Sequence, residues 1–138
     1  MNEFVIDASV AVKWFIPEKG TEKAHEVLEE LIFFYAPNTF LTEIDSVLTK
    51  KVRIRDINIK EAFEKRQQFR KLPYKLIDYE QIEEFAFRLS TEFSITLLDA
   101  TYLATAIDYD AKLYTADPRL SNGLSNTPFA NYIKYIGN

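Results

Sequence analysis

Hydrophobic positions along the chain follow two alternating patterns. Short apolar runs of strand length recur, and between them lie amphipathic stretches with apolar residues three and four positions apart. The runs predict strands at residues 3–7 (EFVID), 33–37 (FFYAP), 74–78 (YKLID), 111–117 (AKLYTAD) and 131–136 (NYIKYI). Strands that alternate with helices are typical of an α/β protein with a largely parallel sheet.

The amphipathic stretches predict helices, with a short helical turn near the end of the chain. Asn38 or Thr39 is suited to cap the third helix, and Pro73 stops the fourth. The segment from Asp99 is so apolar that we expect it to be internal. The predicted helical segments are 8–16, 20–32, 38–53, 58–71, 79–94, 99–110 and the turn 118–123.

Length and hydropathy bound the architecture. The 138 residues are 47% hydrophobic, which is enough for one domain, residues 1–138, with a sizeable core. No apolar run reaches membrane-spanning length, and no leader with a small-residue cleavage site opens the chain. We therefore expect one cytoplasmic domain and no membrane partner.

Carboxylates stand where the predicted strands end. Asp7 closes the first strand and Asp117 closes the fourth, and ligands of open parallel sheets bind beyond the carboxyl ends of the strands. If these two strands are central and adjacent, the two side chains converge. Asp99 begins the internal helix. Glu43 and Asp45 both fall at the margin of one apolar helix face, and periodicity does not choose between them.

Two interpretations of these acids are open. Asp7, Asp99 and Asp117 each precede a predicted helix, so each is suited to be an N-cap, and Pro118 fits the first helical position. Taken together in apolar surroundings, however, several carboxylates favour a site for a hard divalent cation. Such an ion needs converging oxygens, and a buried charge is costly without a partner.

Composition narrows the possible chemistry. The chain has no cysteine, which excludes disulfides, thiolate nucleophiles and cysteine zinc sites. Its one histidine, His25, lies among glutamates and is expected at the surface, so histidine metal clusters are excluded too. Carboxylates, hydroxyls, amines and a hard metal ion remain.

Charge is unevenly distributed. The net charge is -4, yet residues 50–75 contain ten Lys or Arg against three acids, a local charge of +7. This basic segment is suited to dock a phosphate backbone, and a pair of solvated helices explains it equally well. The roles of several single residues are also open. Lys13 and Arg119 are suited to contact a phosphate or to pair with acids. The large aromatic residues Trp14, Phe15 and Tyr102 are suited to stack on bases or to fill the core.

Four segments carry a family resemblance. VIDASVAVKWF, FLTEIDSVL, LLDATYLATA and LYTADPRL, in this order, resemble the four acidic blocks of the PIN domain, and the first is especially similar to the VapC toxins of toxin-antitoxin pairs. The resemblance implies that Asp7, Glu43, Asp99 and Asp117 are the catalytic, metal-binding acids. The resemblance assigns the metal-binding role to Glu43 and not to Asp45. It also implies that the hydroxyls of Ser9 and Thr115 support the site. Ser46 stands where the second block usually has Asn.

The resemblance also implies a function. It predicts a PIN-like three-layer α/β/α sandwich and an endoribonuclease that depends on Mg²⁺ or Mn²⁺ to activate water. The implied partners are an RNA substrate, a cognate antitoxin and a second copy of the chain in a homodimer. The RNA-contact candidates are Lys13, Arg119, Lys50, Lys51, Arg53 and Arg55.

Two other functions stay open at this stage. One is a PIN-like nuclease that processes RNA, and the other is a non-catalytic interaction module whose acids bind arginines. A haloacid-dehalogenase-type phosphatase is disfavoured, because Asp7 is followed by Ala8 and Ser9 and so lacks the second acid of the DxDxT motif.

Overall fold

A computed structural model describes residues 3–18 and 20–137. Within these residues five strands form one sheet in the order β3-β2-β1-β4-β5, and every neighbouring pair is parallel. Each strand coincides with a predicted apolar run. The strands are β1 (Glu3–Ile6), β2 (Phe34–Pro37), β3 (Tyr74–Ile77), β4 (Ala111–Thr115) and β5 (Ile133–Tyr135).

Helices fill the connections between the strands. A 3₁₀ turn at Ala130–Tyr132, absent from the predicted elements, leads into β5. The helices are α1 (Ala8–Phe15), α2 (Thr21–Glu30), α3 (Phe40–Arg53), α4 (Ile59–Arg70), α5 (Tyr79–Glu92), α6 (Leu97–Asp108) and α7 (Pro118–Leu124). In the described part of the chain, no helix is both long and apolar enough to cross a membrane.

The order of the strands places the helices in two layers. The chain runs outward from β1 through β2 to β3, and then returns to β4 on the other side of β1. Right-handed crossovers place α1 to α4 on one face and α5 to α7 on the other. The packing agrees, since α1 contacts α2, α3 and α4, whereas α5 contacts α6. The three-layer α/β/α sandwich predicted from the sequence is confirmed.

The core fixes the central strands and α6. Val5 and Ile6 of β1 and Leu113 of β4 are wholly buried. Every residue of α6 from Ala100 to Ala106 is buried against the sheet, as its apolar sequence predicts. Because β1 and β4 are adjacent and the connections reverse direction between them, their carboxyl ends form a crevice suited to a ligand.

The start of α6 differs from the prediction. Thr96 is its N-cap, because Thr96 Oγ1 accepts a 3.1 Å hydrogen bond from the Asp99 backbone amide. The helix therefore begins at Leu97, and Asp99 lies inside its first turn. The predicted start at Asp99, with Asp99 as a possible cap, is wrong because Thr96 satisfies the free amide first.

Candidate active site

Four acids line one pocket of about 440 Å³ at the carboxyl edge of the sheet. Asp7 directly follows β1, and Asp117 lies two residues beyond the end of β4. Glu43 and Asp99 come from the first turns of α3 and α6. The structure therefore brings together four carboxylates that are spread over 110 residues of sequence, beside the crevice between β1 and β4.

Asp7 is held by two hydroxyls. It is 6% exposed, and its Oδ2 accepts hydrogen bonds from Ser9 Oγ at 2.8 Å and from Thr115 Oγ1 at 2.7 Å. The same hydroxyls also accept hydrogen bonds from backbone amides. The Ala116 amide donates to Ser9 Oγ, and the Asp117 amide donates to Thr115 Oγ1. Asp7 occupies the N-cap position of α1 without a side-chain cap hydrogen bond. Its carboxylate thus joins the ends of β1 and β4 instead of capping the helix.

Glu43 is held by a buried tyrosine. The Tyr102 hydroxyl donates a 2.7 Å hydrogen bond to Glu43 Oε2, and Thr39 Oγ1 donates to the same oxygen at 3.2 Å. Asp45, two residues along α3, instead accepts hydrogen bonds from Arg66 and Arg70 of α4. The geometry therefore separates two acids that periodicity left equivalent, since Glu43 lines the pocket and Asp45 does not.

Asp117 has a local role that its sequence context predicts. Its Oδ1 accepts a 2.9 Å hydrogen bond from the Arg119 amide, and Pro118 occupies the first turn of α7. Among the three aspartates for which capping was open, Asp117 is the one whose side chain caps. It also lines the pocket, so the two interpretations are compatible at this residue.

Burial and mutual proximity disfavour ionisation of the pocket acids. Burial raises the pKa of Asp7, and the hydrogen bonds from Thr115 and Ser9 oppose that rise. Burial, with the charge of Asp7, raises the pKa of Glu43 to about 7 and that of Asp99 to about 6. Burial also raises the pKa of Tyr102 well above its usual value, so its hydroxyl stays protonated as a donor. Negative charge in this pocket is thus poorly compensated by the protein.

The donor set fits a hard divalent cation. Carboxylate oxygens are the ligands that Mg²⁺ and Mn²⁺ prefer, and a cation would compensate the charge that burial penalises. As the side chains stand, no three His, Cys, Asp or Glu residues among 3–18 and 20–137 converge closely enough to hold an ion. The pocket therefore assembles suitable donors, but their side chains are not drawn together around a common centre.

Comparison with known proteins decides the family. A sequence profile of the PIN domain matches residues 4–123, most of the chain. The chain belongs to the PIN domain family. This PIN domain is 26% identical over 122 residues to Ribonuclease VapC3 of Pyrobaculum aerophilum, covering 86% of this chain and 92% of that protein.

Two solved structures share the fold. A toxin-antitoxin complex from Klebsiella pneumoniae matches with a TM-score of 0.68 at 18% identity, covering 97% of both chains. VapBC2 from Rickettsia felis, bound to a DNA fragment from its promoter, matches with a TM-score of 0.63 at 14% identity, covering 96% of this chain and 97% of that one. At these identities the likeness shows that the chain shares its fold with both structures over nearly its whole length.

Among the cations predicted to contact RNA, Arg119 lines the pocket of the PIN domain. Its side chain is 90% exposed, and its Nε lies 3.4 Å from Asp117 Oδ1. Lys13, on α1, is half-buried and is not part of the pocket lining. The remaining candidates lie at and just beyond the C-terminal end of α3, away from the pocket; they are Lys50, Lys51, Arg53 and Arg55.

Part of the basic segment is engaged within the protein. Arg66 and Arg70 pair with Asp45, Lys65 donates to the Phe15 carbonyl, and Lys51 pairs with Asp56. The positive charge that residues 50–75 have available to bind a polyanion is therefore smaller than the +7 counted from the sequence. Its role in binding RNA stays a prediction.

The aromatic candidates serve the core. Trp14 is 3% exposed and donates its Nε1 hydrogen to the Ala24 carbonyl, and Tyr102 is 0% exposed. Phe15 is half-buried and packs edge-on against Phe69. Base stacking by Trp14 or Tyr102 is excluded by burial, and the core interpretation is confirmed. His25 is exposed, as predicted.

Proposed function

We propose that this PIN domain is an endoribonuclease that depends on Mg²⁺ or Mn²⁺ and acts as the toxin of a VapBC-type toxin-antitoxin pair. The observation that carries the proposal is the pocket itself, which four carboxylates from four separate parts of the fold line at the carboxyl edge between β1 and β4. Buried and half-buried carboxylates that line one pocket are costly as lone charges and are suited to bind a hard cation.

Asp7, Glu43, Asp99 and Asp117 are the residues that would hold the ion. When bound, a divalent ion lowers the pKa of water and offsets the charge that develops on a phosphodiester during hydrolysis. The chain itself supplies orientation. Ser9 and Thr115 fix the Asp7 carboxylate from one side.

A cationic side chain borders the same pocket. The exposed guanidinium of Arg119 lies at the mouth, where it can exchange the long contact with Asp117 for a phosphate oxygen of the substrate. Guanidinium groups bind phosphate in a bidentate manner, so Arg119 is suited to orient the scissile group. No side-chain nucleophile is needed, because water attacks the phosphorus.

The toxin role extends the nuclease proposal. It is supported by the similarity to Ribonuclease VapC3 and by the shared fold with chains of two toxin-antitoxin complexes. The proposal includes a cognate antitoxin that inhibits the nuclease, a homodimer, and a cytoplasmic site of action, where the RNA substrate is found.

The nuclease activity is tested with purified protein and a total-RNA pool. We expect cleavage at mapped positions with Mg²⁺ or Mn²⁺, loss of cleavage with EDTA, and loss of cleavage in Glu43→Gln. The matched control is Asp45→Asn, which alters a carboxylate on the same helix that faces α4 and should retain activity. Metal-independent cleavage would refute the proposed role of the metal ion. No cleavage under any condition would refute the nuclease proposal and favour a non-catalytic module.

A second experiment separates a toxin from an RNA-processing nuclease. Induced expression of a toxin should arrest growth, and co-expression of the small protein encoded next to it should restore growth and bind the toxin. Expression of Glu43→Gln should leave growth unaffected. Growth that continues under strong expression of the active enzyme would favour the processing role.

A further inference from the structure

Tyr102 places a hydroxyl group in the core, on the internal helix α6. It lies in the middle of α6, its side chain is 0% exposed, and its neighbours from Ala100 to Ala106 are buried. Its hydroxyl meets Glu43 Oε2 at 2.7 Å, across 59 residues of sequence. The contact joins α6 to α3, two helices from opposite faces of the sheet, beyond the carboxyl edge.

Glu43 needs such a restraint to stay in the pocket. Its side chain is half-buried and has three rotatable bonds, and the charges of Asp7 and Asp99 act on it from within the pocket. Like charges favour rotamers that turn the Glu43 carboxylate outward to solvent. Tyr102, in contrast, has two rotatable bonds and is enclosed on all sides, so its hydroxyl is a fixed donor.

The hydrogen bonds to Glu43 also orient its carboxylate. Thr39 Oγ1 donates to Oε2 at 3.2 Å, the same oxygen that Tyr102 contacts. Neither donor therefore occupies Oε1. Ser46, one turn further along α3, lines the pocket with an exposed side chain. The support for Glu43 thus comes from α6 and from the start of α3, not from Ser46.

We propose that Tyr102 is a positioning residue for Glu43. Its hydroxyl holds Oε2 against repulsion from Asp7 and Asp99, and leaves Oε1, which neither donor contacts, to an ion that would bind in the pocket. Thr39 assists at the longer distance. This inference rests on the proposed metal-dependent function, because it assigns Tyr102 a role that acts only through the Glu43 carboxylate.

The test compares Tyr102→Phe with the wild type. Phe fills the same space, so the fold should be kept, as a melting curve checks. We expect the Mn²⁺ dissociation constant, measured by electron paramagnetic resonance, to rise by roughly 10-fold or more, which is typical for loss of a group that orients a metal ligand. RNA hydrolysis should fall in parallel. The matched control is Tyr74→Phe, which removes a hydroxyl that contacts the Arg70 carbonyl far from the pocket and should change neither quantity.

A double-mutant cycle separates positioning from general packing. In a Glu43→Ala background, Tyr102→Phe should weaken Mn²⁺ binding no further, because its target is gone. An additive loss would overturn the inference in favour of packing. Thr39→Val should weaken Mn²⁺ binding less than Tyr102→Phe does, and only when Glu43 is present. If Tyr102→Phe does not fold, Thr39→Val takes its place in the cycle.

The outcomes distinguish this inference from the proposed function. A wild-type protein that binds Mn²⁺ and cuts RNA, beside a folded Tyr102→Phe variant that does both equally well, refutes the positioning role alone. A wild-type protein that does neither refutes the proposed function and the positioning role together.

Discussion

Thr115 and Asp7, 108 residues apart, are joined by a 2.7 Å hydrogen bond from Thr115 Oγ1 to Asp7 Oδ2. The bond links the ends of the two central strands and gives a buried carboxylate one of its donors. We expect Thr115→Val to lower the free energy of unfolding by about 1–3 kcal/mol, because a buried carboxylate loses one of its two hydroxyl donors.

The pH dependence of this loss follows from the pKa of Asp7. Thr115 holds down a pKa that burial raises, so its removal lets Asp7 take up a proton more readily. The loss should be larger at pH 8 than at pH 5, as urea unfolding at the two pH values would measure. Thr49→Val, on the exposed side of α3, should change stability by less than about 0.5 kcal/mol at both. An equal loss at the two pH values would show that Thr115 acts through packing.

Asp99→Asn distinguishes a metal ligand from a helix cap. The cap of α6 is Thr96, so the variant keeps the helix start, and it relieves the repulsion between Asp99 and Asp7. We expect a metal-free stability equal to or above that of the wild type, weaker Mn²⁺ binding, and a loss of RNase activity of about 100-fold or more. Calorimetry and an RNA cleavage assay measure the three quantities.

The control for Asp99→Asn is Asp110→Asn. Asp110 is exposed and has φ of 50°, a conformation that Asn tolerates well. It should behave as the wild type in all three measurements. A folded Asp99→Asn enzyme that cuts RNA at the wild-type rate would refute the role of Asp99 in the site.

The metal-free protein should lose stability as the pH rises. Glu43 and Asp99 have pKa values of about 7 and about 6 in the folded state, above their ordinary values of 4.5 and 3.8. The folded state therefore binds more protons than the unfolded state between pH 4 and 7, and the stabilising effect of protonation is lost across this range. Melting temperatures in EDTA should fall from pH 5 to pH 8.

Mn²⁺ should reverse this trend. The ion competes with protons for the same carboxylates, so its stabilising effect should be larger at pH 8 than at pH 5. The double variant Glu43→Gln and Asp99→Asn should show a flatter pH profile in EDTA and little response to Mn²⁺. A wild-type profile that is equally flat would argue against charge repulsion in the pocket.

The basic end of α3 should contribute affinity without chemistry. A variant in which glutamine replaces four cations at once should bind RNA more weakly and with less dependence on salt, because fewer counterions are released. The four cations are Lys50, Lys51, Arg53 and Arg55. Lys51 already pairs with Asp56. The slope of the binding constant against salt concentration should therefore change by less than the loss of four phosphate contacts would cause. Turnover at saturating RNA should change little. Fluorescence titrations at several salt concentrations measure both quantities, and an unchanged slope would identify a solvated surface.

The arrangement of strands and helices was predictable because the local patterns agree with the tertiary packing. Apolar runs became the buried parallel strands, and the apolar sequence after Asp99 became the internal helix α6. The start of α6 was not predicted correctly, since Thr96 and Asp99 are both good capping residues. Leu97 and Leu98, about 40% exposed, give no amphipathic signal that marks the first turn.

The hydrogen-bond partners of the site residues could not be predicted from the sequence. Glu43 and Asp45 both lie at the margins of the apolar face of α3, and the arginines of α4 separate them only once α4 packs on α3. Tyr102 was correctly predicted as a core residue, but its spacing along α6 carries no information about a hydroxyl partner on α3. Contacts between distant segments depend on how the layers meet, which periodicity does not specify.

The position of β1 between β2 and β4 has a consequence for protein synthesis. The strand that carries Asp7 is made first, but its neighbour β4 and the hydroxyl of Thr115 come more than 100 residues later. A nascent chain that has not yet emerged beyond Thr115 lacks one wall of the pocket as well as Asp117. Until β4 has emerged, the ribosome that makes this protein is therefore not exposed to an assembled pocket on its own growing chain, and arrested nascent chains that end before β4 should cut no RNA.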